Sequence, residues 1–331
     1  MNGERRDWRI YTGSGMPHDG ISRLPDPPPW RRFSVATVRS ASRAEAEAVQ
    51  LGDNRGATYR AAPVVVDAVN TAMYLRRPLL VTGPPGTGKS TLAYSVAAEL
   101  RLGRVLSWSI TSRSTLAEGL YSYDAIGRLQ DLNLASSLRR EEPQPDIGSY
   151  LRLGPLGTAF LPWERPRVLL VDELDKSDID LPNDLLTLFE EGRFVVPELA
   201  RLSERDVMVL TADDLGSAVV SSGIVACSDF PLVIITSNGE REFPAPFLRR
   251  CIRVDLAQPT AVQIAAIVEA HLGQEASVKS YELIEQFLQR RDRRVLATDQ
   301  LLNAVYLSSA LGRQELFDDW LELVLRPLSG S

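Results

Sequence analysis

The chain has 331 residues, 44% of them apolar and 24% charged, and a formal net charge of −6. That length suits about two domains of ~100–200 residues, each with an ordinary buried core. The acidic balance offers no general electrostatic reason to bind nucleic acid, Cys227 and Cys251 are too few for a disulfide framework, and His18 and His271 leave no His/Cys cluster for zinc.

At the start of the chain, Met1-Asn2-Gly3-Glu4-Arg5-Arg6-Asp7 leads into polar sequence rather than the apolar core of a signal peptide. No apolar run is long enough to span a membrane. A cytoplasmic, reducing location is therefore expected. Residues 1–33 read as irregular, because Pro17, Pro25 and Pro27-Pro28-Pro29 forbid long helices. Trp8, Tyr11, Trp30 and Phe33 are spaced between them. Two readings fit: a disordered tail, and an arm that docks its aromatics on a neighbouring surface. The tryptophans favour the arm, since linkers are poor in them.

Residues 37–51 suggest a short helix, and Pro63 to Leu75 carry apolar residues at helical spacing. Strand-like runs follow at 79–82, 105–110, 167–171, 207–211, 231–236 and 251–256, with helices between several of them. Near-continuous apolar strands alternating with helices predict an α/β fold, a parallel sheet covered on both faces. The stretch Arg139-Arg140-Glu141-Glu142-Pro143-Gln144-Pro145-Asp146 reads as an exposed loop or insertion. From Pro259 the texture changes. Residues 260–273, 278–290, 299–311 and 314–325 all read as helices, with Thr298 as the N-cap of the third. The predicted organisation is an arm with a short helix over 1–57, an α/β core over 58–257 and a small all-α domain over 258–331.

Chemistry concentrates in four places. Gly83-Pro84-Pro85-Gly86-Thr87-Gly88-Lys89-Ser90 fits G-x-x-x-x-G-K-[ST], between the strand-like Pro78–Thr82 and a helical run from Thr91 to Leu100. Glycines let backbone N–H groups turn toward a polyphosphate, and the helix N-terminus adds its positive end. Lys89 would reach the β- and γ-phosphates of ATP, Ser90 would hold Mg²⁺, and Thr91 continues the binding segment. Next, Arg167-Val168-Leu169-Leu170-Val171-Asp172-Glu173 is a buried strand ending in two acids, where ligands sit in open parallel sheets. Asp172 would act on Mg²⁺ through its water shell, and Glu173 would polarise the attacking water. The strand from Leu232 to Ser237 ends at Asn238, which reads either as a turn residue before glycine or as an amide that holds that water. Finally, Pro246-Phe247-Leu248-Arg249-Arg250 ends a short helix before the last strand. These arginines read as a solvated pair or as a finger that grips the nucleotide of an adjacent subunit.

With these elements in order, the chain resembles AAA+ ATPases, and more narrowly the MoxR family, over roughly residues 58–326. Gly154-Pro155-Leu156-Gly157-Thr158-Ala159-Phe160-Leu161 and Asp172-Glu173-Leu174-Asp175-Lys176-Ser177 carry the narrower likeness. So do Leu185-Leu186-Thr187-Leu188-Phe189-Glu190-Glu191-Gly192, Thr236-Ser237-Asn238-Gly239-Glu240-Arg241 and Phe247-Leu248-Arg249-Arg250-Cys251. Trp8-Arg9-Ile10-Tyr11-Thr12-Gly13 with Pro25 to Trp30 is similar to the leader of a MoxR subgroup often encoded with von Willebrand A domain proteins in bacterial conflict systems.

The resemblance implies a P-loop AAA+ core with a parallel sheet, a small all-α lid, a hexameric ring with ATP between subunits, and chaperone-like remodelling or activation of a partner protein. It matches Lys89 and Ser90 to the phosphate loop, Asp172 and Glu173 to the acidic pair, Asn238 to the first sensor and Arg250 to the finger. Arg249 stands where the family commonly has an acid. Residues 111–150 and 193–225 fall where the family carries insertions. One departure stands out: the second-sensor arginine is missing from Ala297-Thr298-Asp299-Gln300. Arg293 or Arg294 is a substitute, and the cluster from Arg290 to Arg294 reads equally as a solvated helix end or a patch for an acidic partner. Two rival functions share the fold: a nucleic-acid motor or loader, and a nucleotide-gated scaffold with little turnover.

Overall fold

The computed structural model describes residues 8–33, 56, 58–137, 146–213, 216–291, 296–311 and 323–326. The helices expected over 37–51 and 314–325 fall wholly or mostly outside the described residues, as do Arg293 and Arg294.

The core begins with helix α1, Pro63–Leu75. Pro63 sits in its first turn, where the missing N–H costs no hydrogen bond. Val65, Val66, Val69, Ala72 and Met73 form its buried stripe. There follow β1 (Leu79–Thr82), α2 (Lys89–Glu99) and β2 (Leu106–Ser109). The segment between β2 and β5 first forms α3 (Leu116–Leu120), β3 (Tyr121–Tyr123), α4 (Ala125–Ser137) and β4 (Leu151–Leu153). After α5 (Pro155–Ala159) come β5 (Val168–Asp172) and α6 (Leu181–Glu191). The segment between α6 and β10 forms β6 (Arg193–Val195), α7 (Pro197–Ala200), β7 (Asp206–Leu210), β8 (Ser217–Ser221) and β9 (Ile224–Ala226). The core closes with β10 (Leu232–Ser237), α8 (Ala245–Leu248) and β11 (Ile252–Asp255).

Five strands make one parallel sheet in the order β11-β1-β10-β5-β2. Side chains alternate between its faces, and both faces are buried. Leu79, Val81, Leu170 and Ile234 join one core with α1 and α2, while Leu80, Leu169, Val171 and Ile235 join another with α5 and α6. This two-sided burial is why the strands read as continuous apolar runs. The expected α/β class, a parallel sheet flanked by helices with C-terminal helices after it, is what the chain adopts.

One strand belongs elsewhere. The run predicted at 207–211 lies in a second, six-stranded sheet ordered β3-β4-β7-β8-β9-β6, where β7 pairs antiparallel with β8. Its residues alternate between buried and exposed, as they do in a sheet with one face toward solvent. Strands from these two segments thus build one sheet of their own.

The C-terminal helices are α9 (Ala261–Leu272), α10 (Gln274–Lys279), α11 (Tyr281–Arg291) and α12 (Thr298–Leu311). They share a separate apolar core around Ile264, Phe287, Leu301 and Val305. The single helix expected over 278–290 is broken at Ser280, which leaves helical geometry at φ −99 and ψ 13. Thr298 is the first residue of α12 rather than its N-cap, and the Gln300 side chain accepts the N–H of Ala297 instead.

Residues 8–33 dock on the chain's own core. The buried side chain of Asn70 in α1 accepts the N–H groups of Ile10 and Tyr11 and donates to the carbonyl of Tyr11. Buried Glu99, at the end of α2, accepts the N–H groups of Thr12, Gly13 and Gly15. Tyr11 is fully buried, and its hydroxyl meets Ser95 at 2.9 Å. Trp8 stands edge-on to Tyr74, but Trp30 is 73% exposed. Backbone bonding therefore holds the arm more than the tryptophans do. Asn70→Ala would leave two arm N–H groups and a carbonyl without partners. Its stability in denaturant unfolding should fall by about 2–4 kcal/mol, with limited proteolysis cutting first before residue 16.

Candidate active site

The site lies at the C-terminal edge of the parallel sheet. Gly83 to Gly88 link β1 to α2, and the fold admits little but glycine at two of these positions. Gly83 has φ +144, and a Cβ there would lie 2.5 Å from the Leu256 carbonyl oxygen. Gly86 has φ +73, and its Cβ would lie 2.5 Å from the Cβ of Ala297, just before α12. The helical domain thus rests directly on the loop. Pro84 is half-buried, Pro85 is exposed, and the Thr87 hydroxyl donates to the carbonyl of Pro84 at 2.9 Å. Lys89 opens α2, is buried, and donates to the carbonyls of Gly83 and Pro84, both at 2.8 Å. Burial lowers its ammonium below the usual lysine range, while the charges of Asp175, Asp172 and Glu173 push it back up. Thr91 is half-buried one turn into the same helix.

Ser90 and Asp172 meet across the sheet edge. The Ser90 hydroxyl donates to Asp172 Oδ1 at 2.6 Å, and so does the Thr236 hydroxyl from β10, also at 2.6 Å. Ser90 has spent its one hydrogen, so its lone pairs remain for a cation. Asp172 Oδ2 has no hydrogen-bond partner among the described residues. A hydroxyl and one carboxylate suit Mg²⁺, which keeps several waters and takes further oxygens from substrate phosphates. Among the described residues no group of three or more His, Cys, Asp or Glu side chains gathers to hold a metal without such help.

Glu173 follows in the left-handed region at φ +61, uncommon for a residue with a side chain. That conformation aims its carboxylate along the edge. Lys176 Nζ meets Oε2 at 2.7 Å, and Asn238 Nδ2 lies 3.4 Å from Oε1. The turn from Leu174 to Lys176 is sewn to the end of β10 by Asp175, whose Oδ2 accepts the N–H groups of Asn238 and Glu240. Arg241 closes the same seam by donating to the carbonyl of Ser177.

Lys89, Ser90, Asp172, Glu173 and Asn238 therefore share one edge. Arg249 and Arg250 do not. They end α8 just before β11, whose first residue donates to the carbonyl of Pro78 ahead of β1. The arginines lie at the opposite end of the sheet from the glycine loop, about 13 Å of strand away. Arg249 is exposed, and Arg250 Nε pairs with Glu190 Oε1 at 3.0 Å. The histidines and cysteines lie outside the site. His18 faces Glu99, His271 meets Thr58, and Cys227 and Cys251 are buried, which pushes both thiols up to about 12.

The AAA domain family (dynein-related subfamily) matches residues 78–250, a span from the start of β1 through Arg250. The chain belongs to this family. Among curated proteins, a chaperone protein ClpB of Meiothermus ruber is 25% identical over 207 residues, covering 58% of this chain and 21% of that protein. The chloroplastic chaperone proteins ClpD1 and ClpD2 of Oryza sativa subsp. japonica are 25% and 29% identical over 150 residues, covering 44% of this chain and 14% of each. The chain thus spans about a fifth or less of the length of these relatives. Among the described residues no helix is long and apolar enough to cross a membrane.

Reading the sequence for chemistry overlooked Thr236, Asp175 and Lys176. All three lie inside runs quoted for resemblance, but their partners sit on another strand or in another turn, which no spacing rule reveals. Asp175 contributes the largest of the three charges that raise Lys89. Asp175→Ala should therefore lower the Lys89 pKa further, so that nucleotide affinity is lost at a lower pH than in the parent chain. Two N–H groups would also lose their acceptor, and a fall of about 1–3 kcal/mol in denaturant stability should accompany that shift.

Proposed function

We propose that this chain is an ATP-hydrolysing, MoxR-like AAA+ subunit that assembles into a ring, a hexamer by family resemblance, and remodels or activates a partner protein. The observation that carries the reading is the convergence of Lys89, the Ser90–Asp172 pair, Glu173 and Asn238 on one sheet edge. Lys89 leaves the carbonyls of its own loop to meet the β- and γ-phosphates. Ser90, and Asp172 through a water shell, would hold Mg²⁺, which when bound would supply neutralisation of the phosphate charge. Glu173 and Asn238 hold a water. Its oxygen bonds the γ-phosphorus, the bond to the β,γ-bridging oxygen breaks with its electron pair leaving on ADP, and the water's proton passes to Glu173. Lys176 pairs with one oxygen of that base.

The similarity to Clp chaperones supports a chaperone-like role in the broad sense. The partner reading, a von Willebrand A domain protein or associated effector in a bacterial defence setting, rests on the leader resemblance alone. Net charge and the absence of a recognised nucleic-acid module argue for protein rather than DNA as the partner.

The test of chemistry is Mg²⁺-dependent ATP turnover by the purified chain. Glu173→Gln should bind ATP as the parent does and lose turnover about 10²–10⁴-fold, the range of a general base. Equal turnover in the variant would remove Glu173 from that role. The place of Arg250, at the opposite end of the sheet from its own loop, supports a role on a neighbour's nucleotide. Arg250→Ala and Lys89→Ala chains, each nearly inactive alone, should partly recover turnover when mixed. Mixed oligomers that form without recovery would leave Arg250 a residue of its own subunit.

A further inference from the structure

The hydroxyl of Thr236 makes two hydrogen bonds, and both go to the acidic pair. It donates to Asp172 Oδ1 at 2.6 Å and accepts the N–H of Glu173 at 2.8 Å. Thr236 is fully buried at the end of β10. On one side its backbone pairs with Val81, two residues before the glycine loop. On the other side the ladder between β10 and β5 stops one residue earlier, at Ile235 and Val171. The side chain of Thr236 takes over where the backbone ladder ends, and through it the strand that carries the phosphate loop is tied to both acids.

Each bond has a separate consequence. The first sends a second hydroxyl hydrogen to the oxygen that Ser90 already uses. Asp172 is then held at Oδ1 from two sides, and Oδ2 stays turned away for the water shell of a cation. The second fixes the peptide N–H of Glu173, the residue at φ +61. Left-handed backbone is held only where its surroundings determine it. The Thr236 oxygen supplies that restraint, and with it the direction of the Glu173 carboxylate toward Asn238, 3.4 Å away. A buried hydroxyl has to find a hydrogen-bond partner. Here it reaches across to the two acids.

We infer that Thr236 is the positioning residue of the acidic pair, setting the metal-facing oxygen of Asp172 and the orientation of Glu173 with a single hydroxyl. The inference rests on the hydrolytic reading above. It predicts that metal dependence and turnover fail together when the hydroxyl is removed, while nucleotide binding through Lys89 survives.

The experiment compares Thr236→Val, which keeps the shape and deletes the hydroxyl, with Thr236→Ser, which keeps the hydroxyl. For each, kcat, KM for ATP and the half-saturating Mg²⁺ concentration are measured, together with binding of a fluorescent ATP analogue without Mg²⁺. Thr236→Val should lose about 10- to 100-fold in kcat, the scale of losing a hydrogen bond to a charged group. It should also need several-fold more Mg²⁺, with metal-free nucleotide binding unchanged. Thr236→Ser should return both quantities to within a few-fold of the parent. Parental kcat and Mg²⁺ dependence in Thr236→Val would overturn the inference, as would a Thr236→Ser chain as impaired as the valine form. Should Thr236→Val fail to fold, Thr236→Ala is judged by the same two quantities. A parent chain without Mg²⁺-dependent turnover would instead sink the hydrolytic reading, which separates the two failures.

Discussion

A single carboxylate oxygen organises this molecule. Asp172 Oδ1 receives the Ser90 hydroxyl from one element and the Thr236 hydroxyl from another, each at 2.6 Å. Three strands must be in register for that to happen. The order β1-β10-β5 places the strands that lead to the glycine loop, to Asn238 and to the acidic pair side by side with their C-terminal ends level. Two apolar cores, one on each face, hold that alignment, because a slip in any strand would move its buried residues to the wrong side. The site is thus the visible end of a packing constraint that runs the length of the sheet.

The same logic extends downward from the edge. Asp175 and Arg241 fasten the turn after β5 to the loop after β10, which holds Glu173 and Asn238 beside one another. Lys89 satisfies its donors on two carbonyls of its own loop. That arrangement keeps a buried cation from being left without partners. The helical domain touches the loop directly at Gly86, where Ala297 leaves no room for a side chain.

The far end of the sheet is built around a different set of charges. Arg31, buried in the arm, donates to the carbonyls of Arg76 and Phe189 and lies over the ring of Phe230 at 4.8 Å. It also approaches Glu190, which pairs with Arg250. Asn70 and Glu99 anchor the beginning of the arm, and Arg31 anchors its close beside the arginine proposed to face a neighbour. In this chain the arm is part of the core rather than an appendage to it.

Local sequence was enough for the glycine loop, the acidic pair and the α/β class. Each depends on residues adjacent in the chain or on a period of burial, and such patterns survive without three-dimensional information. The apolar texture of β5 and β10 also announced where their polar ends would lie. Texture did not say which sheet a strand joins, so β7 was grouped with the parallel strands although its alternating burial belongs to the second sheet. Nor did it reveal that Glu99 and Asn70 serve the arm, or that Thr236 serves Asp172 and Glu173. Those partners are separated by 59 or more residues and meet only because the chain closes on itself. Chain order determined which chemistry is present. The tertiary structure decided which groups share it, because hydrogen bonds to buried charges depend on distances that only packing sets.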